Sequence, residues 1–121
     1  MPSTRRITVV SFGKPEVIEP ATERLRAVCA ACGIEIVGPE EAELAVVLGG
    51  DGTILRALER FLGSGVPVMG VNYGRVGFLA AMSPDGMEEG LRRVFHGERQ
   101  VIELPTLDSL KRCAVSQVFA W

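Results

Sequence analysis

The sequence predicts an α/β fold: a three-layer domain with a mostly parallel sheet between helices. Short β-rich runs alternate with helical periodicities along the chain, the pattern of parallel strands joined by crossover helices. Leu44-Ala45-Val46-Val47-Leu48 is apolar without alternation, which fits a strand covered on both faces. Two glycine-rich turns, Gly49 to Thr53 and Gly70 to Leu79, each follow a strand. In open sheets of this kind ligands bind beyond the carboxyl ends of the strands, so both turns belong on one rim.

Ile7 to Phe12 is β-branched and aromatic and reads as the first strand, ended by Gly13-Lys14-Pro15. Ile18, Ala21, Leu25, Val28, Cys29 and Cys32 repeat at three and four residues and predict a helix with Pro20 in its first turn and Gly33 as its stop. Ile34 to Val37 is a short second strand, and Gly38 to Glu43 a polar acidic loop. Leu44 to Leu48 is the third strand. After the Gly49 to Thr53 turn, Ile54, Leu55, Leu58, Phe61 and Leu62 form the apolar face of a second helix that leaves Arg56, Glu59 and Arg60 outside. Gly63-Ser64-Gly65 closes it. Val66 to Val71 is a fourth strand, with Pro67 an argument against central pairing. Ser83 and Pro84 read as the cap and first residue of a third helix that buries Met87, Leu91, Val94 and Phe95 and ends at Gly97. Gln100 to Leu104 is a further strand, broken by Pro105.

Composition narrows the function. A chain of 121 residues is one domain's worth; the α/β domain is assigned to 1–104, and 105–121 is a tail without a recognised element. With 47% apolar and 6% aromatic residues the core must be aliphatic. A net charge of −2 gives no basic field for nucleic acid and no polybasic membrane anchor. No apolar run reaches the ~18 residues of a membrane span, and the amino terminus lacks a signal-peptide core. A cytoplasmic protein without nucleic-acid or membrane partners is expected. Three cysteines make no disulfide framework. Cys29 and Cys32 have redox-pair spacing but fall at a helix end, so they read as small buried hydrophobes. His96 has no clustered ligands for zinc.

Chemistry concentrates at Gly49-Gly50-Asp51-Gly52-Thr53. Glycines let an anion approach the main chain, and a turn that opens a helix adds free N–H groups and the positive end of the helix dipole. A carboxylate beside a polyphosphate is repelled unless a divalent cation intervenes or the carboxylate accepts a proton from an attacking hydroxyl. The plain alternative is that Asp51 caps the helix. Neither a Gly-x-Gly-x-x-Gly fingerprint nor a P-loop is present.

Gly49-Gly50-Asp51-Gly52-Thr53, followed by Gly70-Val71-Asn72-Tyr73-Gly74-Arg75-Val76-Gly77-Phe78-Leu79, closely resembles the amino-terminal half of NAD kinases. The first motif alone is shared with diacylglycerol and sphingosine kinases and, nearly, with phosphofructokinases; the pair is far more specific. The resemblance runs from the first strand to about Asp108 and implies a Rossmann-like, phosphofructokinase/NAD kinase-like fold. It implies phosphoryl transfer from ATP or polyphosphate, with a divalent metal such as Mg2+, to the 2′-hydroxyl of the adenosine ribose of NAD. Asp51 would be the proton acceptor, Gly49, Gly50, Gly52 and Thr53 would lie along the nucleotide, Arg56 would contact NAD and Phe78 would lie against adenine. Beside these stand plainer readings: Arg56 as a solvated helix charge, Phe78 as core, Asn72 and Tyr73 as turn-shaping residues.

Family members also carry a second, β-rich domain with an Asn-Glu or Asn-Asp motif that holds the nicotinamide ribose, and the 121 residues contain no such pair. Residues 109–121 match nothing in the family pattern. A truncated or frame-shifted end, a chain inactive by itself and a homo-oligomer are expected. The competing functions are a diacylglycerol-type lipid kinase and a nucleotide-binding remnant without turnover.

Overall fold

The computed structural model describes residues 4–74, 80–98, 100–105 and 112–117, the last two segments as backbone only. Six strands form one sheet in the order β2-β1-β3-β4-β6-β5. They are β1 (Arg6–Ser11), β2 (Glu35–Ile36), β3 (Leu44–Gly49), β4 (Val68–Asn72), β5 (Gln100–Pro105) and β6 (Arg112–Gln117). The first four pair in parallel, and β6 runs parallel to β4 and antiparallel to the edge strand β5. Ser11 pairs with Leu48 and Gly49 with Asn72, so β1, β3 and β4 finish at one level.

Helices α1 (Pro15–Cys32), α2 (Asp51–Arg60) and α3 (Met87–Phe95) complete the three layers. The continuous apolar run of β3 divides by pleat. Leu44, Val46 and Leu48 pack with the α1 and α3 residues Leu25, Val28, Leu91 and Phe95, while Ala45 and Val47 pack with Ile54, Ala57 and Leu58 of α2 and with Phe61 just after it. Each residue of β3 is buried, the condition that an all-apolar strand requires. Gly70 of β4 leaves room for Ile54, whose side chain occupies the space a Cβ there would need.

Several boundaries differ from the sequence reading. Helix α1 begins at Pro15, which supplies the preset φ favoured in a first turn, and Pro20 therefore lies inside the helix. Gly33 closes it at φ 70°, in the left-handed region. On α2, Leu55 lies off the apolar face and is 51% exposed, and Ala57 takes the buried position. Helix α3 starts at Met87 rather than Pro84, because Gly86 at φ 76° interrupts helical geometry before it. Pro67 precedes β4, and its carbonyl accepts a hydrogen bond from the Ala45 N–H at 3.0 Å; β4 is interior, between β3 and β6. The stretch after Leu104, given no element from sequence, contributes β6. The acidic loop ends in a structural carboxylate: Glu43 Oε1 accepts the Arg5 and Arg6 N–H groups at 3.0 and 2.8 Å.

Cys29 and Cys32 are free thiols, Cys29 buried against the α1 side of the sheet. Burial, and after it the neighbouring Cys32, pushes the Cys29 thiol up to about 11, which suits core packing and not redox exchange at neutral pH. Among the described residues no helix is long and apolar enough to cross a membrane.

Candidate active site

Strand order turns about β1 and β3: from β1 the chain goes outward to β2, then crosses back to β3 on the other side. The crevice at such a switch point is where doubly wound sheets take ligands. The carboxyl ends of β1 and β3 meet there, with the Phe12 N–H donating to the Leu48 carbonyl at 3.2 Å.

Asp51 is the first residue of α2 and Gly50 its N-cap, in extended geometry. Asp51 thus stands in the first turn, where the helix dipole favours a negative charge, and the plain reading of it as N-cap is corrected. It is half-buried, with Gly52 exposed beside it. The Ile54 N–H donates to the Gly50 carbonyl, closing the first turn of the helix. Gly49 leaves space that Thr53 fills, since a Cβ at Gly49 would lie 2.9 Å from Thr53 Oγ1.

The two glycine turns touch. A Cβ on Gly74 would lie 2.8 Å from Gly50 Cα and 3.1 Å from Gly50 N, so main chain packs on main chain with no room for a side chain. The Tyr73 N–H donates to the Gly49 carbonyl at 3.1 Å, and Asn72 Oδ1 accepts the Gly74 N–H at 3.1 Å. The second of these bonds is an Asx turn, in line with the turn-shaping reading of Asn72. Beyond the turn Met82 bridges Val71 of β4 in parallel: the Asn72 N–H donates to the Met82 carbonyl and the Ala81 N–H to the Gly70 carbonyl, each at 2.9 Å.

The spacing of residues gave no sign of the tie that holds the second turn from behind. Arg24 on α1 donates from Nε and Nη2 to both carboxylate oxygens of Glu88 on α3, at 2.6 and 2.7 Å. Its Nη2 also donates to the Pro84 carbonyl at 2.8 Å and its Nη1 to Tyr73 Oη at 3.2 Å. The Arg24 hydrogen bonds hold the Glu88 carboxyl down at about 2, far below the usual range, and the guanidinium is correspondingly harder to deprotonate. Both side chains are over a third exposed, so the pair matters more for orientation than for stability. The Tyr73 hydroxyl, raised mainly by burial, donates on to Met87 Sδ at 3.4 Å.

Of the residues singled out from sequence, the rim unites Gly49, Gly50, Asp51, Gly52 and Thr53. Arg56, one turn along α2, is exposed and stacks over the Phe12 ring at 6.0 Å. Phe78 lies outside the described residues. Among the described residues no group of three metal-binding side chains occurs.

Fold and rim together define a doubly wound α/β domain with two glycine turns packed against each other at its switch point. The family described as the ATP-NAD kinase N-terminal domain matches residues 33–99, from the approach to β2 through α3 and across both glycine turns. The chain belongs to that family. It is 42% identical over 106 residues to an NAD kinase of Nitratidesulfovibrio vulgaris, covering 77% of this chain and 38% of the relative. Identity is 43% over 103 residues to an NAD kinase of Leifsonia xyli subsp. xyli, covering 85% and 33%. With an NAD kinase of Corynebacterium diphtheriae it is 46% over 69 residues, covering 57% and 22%. The matched part is thus well under half of each relative.

The Gly50–Gly74 contact makes a direct prediction. Gly74→Ala must push the two turns apart, because the clash is with backbone and no side chain can rotate away. The Tyr73 amide, which spans the contact, should exchange with solvent at least about tenfold faster, while the Val46 amide inside β3 keeps its protection. Unchanged Tyr73 protection in an exchange measurement would show that the turns are not packed as described.

Proposed function

We propose that the chain is the nucleotide-binding part of an NAD kinase, which moves a phosphoryl group from ATP or polyphosphate to the 2′-hydroxyl of the adenosine ribose of NAD, giving NADP. The observation that carries the reading is the backbone contact of Gly74 on Gly50. It sets the second motif against the first, with Asp51 at the join. One turn can then line a phosphate while the other holds a second part of the ligand.

In the reaction the ribose oxygen forms a bond to the terminal phosphorus of the donor, the bond from that phosphorus to the donor's bridging oxygen breaks, and the hydroxyl proton passes to the Asp51 carboxylate. Carboxylates are weak bases at neutral pH, so orientation must supply more than basicity. Main-chain groups at Gly49, Gly50, Gly52 and Thr53 face the phosphates from the positive end of α2. Arg56 contacts NAD and Phe78 lies against its adenine. A bound Mg2+ would neutralise phosphate charge. A cytoplasmic, homo-oligomeric protein that meets neither membrane nor nucleic acid completes the proposal.

Substrate choice tests it. In an active form extended to the length of the relatives, radiolabelled phosphate should reach NAD and neither diacylglycerol nor fructose 6-phosphate. A labelled lipid without labelled NADP would assign the chain to the lipid kinases that share the first motif.

A further inference from the structure

A second feature opens onto the switch point. Between the carboxyl end of β1 and the exposed face of α2 lies a groove of about 220 Å3 walled by Val10, Ser11, Phe12, Thr53, Arg56 and Arg60. Thr53, Arg56 and Arg60 fall at spacings of three and four and so form one stripe of α2 that starts in the glycine turn. Phe12 is 68% exposed, the largest such exposure among the described large apolar side chains.

Among the described residues no carboxylate pairs with the arginines of this stripe. Arg24 is paired with Glu88 and Arg93 with Glu89, but among the described residues Arg56 and Arg60 have only ring contacts, Arg56 over Phe12 at 6.0 Å and Arg60 over Phe61 at 5.9 Å. Among the described residues no acidic side chain lines the groove. Two cations one turn apart repel each other, a cost an anion bound between them would remove. The volume is below the roughly 300–1,000 Å3 of pockets that take drug-sized molecules. It has room for linked phosphates and not for a whole dinucleotide.

We infer that this groove binds the polyphosphate chain of the phosphoryl donor, with Arg60 and Arg56 as its cationic wall and Phe12 holding the Arg56 guanidinium in place. The inference rests on the phosphoryl-transfer reading of the rim above. It adds Phe12 and Arg60 to the site and puts the donor on the β1 side of the glycine turn. The bound chain would run from the groove past Thr53 to the first turn of α2, which brings its end to Asp51. Two sources supply such a ligand, inorganic polyphosphate and a nucleoside triphosphate.

Calorimetric titration of the 121-residue chain with sodium tripolyphosphate, ATP, AMP and NAD at low salt tests this. Tripolyphosphate and ATP should bind at least about tenfold more tightly than AMP, and added salt should weaken both. Arg60→Gln should weaken tripolyphosphate about tenfold, leave NAD within about twofold and leave Tm unchanged. Equal affinity for ATP and tripolyphosphate identifies the phosphates as all that is recognised. A tighter ATP, with the advantage erased by Phe12→Ala, identifies a nucleotide whose base lies on that ring. Tripolyphosphate binding indifferent to both Arg60→Gln and Arg56→Gln overturns the groove. Binding of NAD without tripolyphosphate overturns the groove and spares the NAD reading; tripolyphosphate without NAD does the reverse; binding of neither overturns both.

Discussion

Asp51→Asn is expected to take NADP formation down by about a hundredfold to ten-thousandfold, the range of a positioned general base, in an active form of the length of the relatives. The substitution keeps side-chain volume and an accepting oxygen at the first position of α2, and it removes the charge and the capacity to take a proton. The loss to the fold includes the carboxylate's interaction with the helix dipole, about 0.3–1 kcal/mol for a charge at a helix end. Tm should therefore move by only a few degrees. Affinity for NAD should stay or improve, since a negative charge leaves a site built for phosphates. Turnover of NAD with ATP and magnesium at the unsubstituted rate would remove Asp51 from the role of base. A collapse of Tm along with activity would make its role structural instead.

The elements legible in the sequence are those whose signal is local. The unbroken apolar run of β3 announced burial on both faces, and the spacing of Ala21, Leu25, Val28 and Cys29 announced the buried face of α1. The shared rim followed from two glycine turns that both end parallel strands. Where the reading slipped, a longer-range or backbone effect decided. Leu55 has the right hydropathy for the apolar face of α2, but the rotation of the helix on the sheet, fixed by Ile54 against Gly70, buries Ala57 instead. Ser83-Pro84 has the chemistry of a helix start, yet the left-handed Gly86 places that start later. The Arg24–Glu88–Tyr73 tie joins residues 49 and 64 positions apart, and nothing local to any of the three points to the others. Phe12 gave no hint of its exposure, because a β-branched and aromatic run predicts a strand without saying where the sheet stops covering it.

The 121-residue chain by itself is expected to make no measurable NADP. On the described part of the rim Gly52 and Arg56 are exposed and Asp51 is half-buried. In the family the chain belongs to, the resemblance implies a second, β-rich domain whose Asn-Glu or Asn-Asp motif holds the nicotinamide ribose, and the 121 residues have no such motif. Without an opposing wall the 2′-hydroxyl is not fixed in line with the donor's terminal phosphorus. Orientation of that kind contributes roughly 7–11 kcal/mol in well-aligned reactions, so its absence lowers the rate by many powers of ten. The same openness bears on association. Phe12 and Leu55 are 68% and 51% exposed, and Ile36 is 42% exposed on the edge strand β2. Exposed apolar groups and a strand edge that no described strand covers favour contact between copies, so the isolated chain should form oligomers. A coupled NADP assay on the purified chain, read beside its mass by light scattering, decides the matter. Clear NADP formation from a monodisperse monomer would mean that residues 106–121 close the site, and that the wall assigned here to a second domain is not needed for turnover.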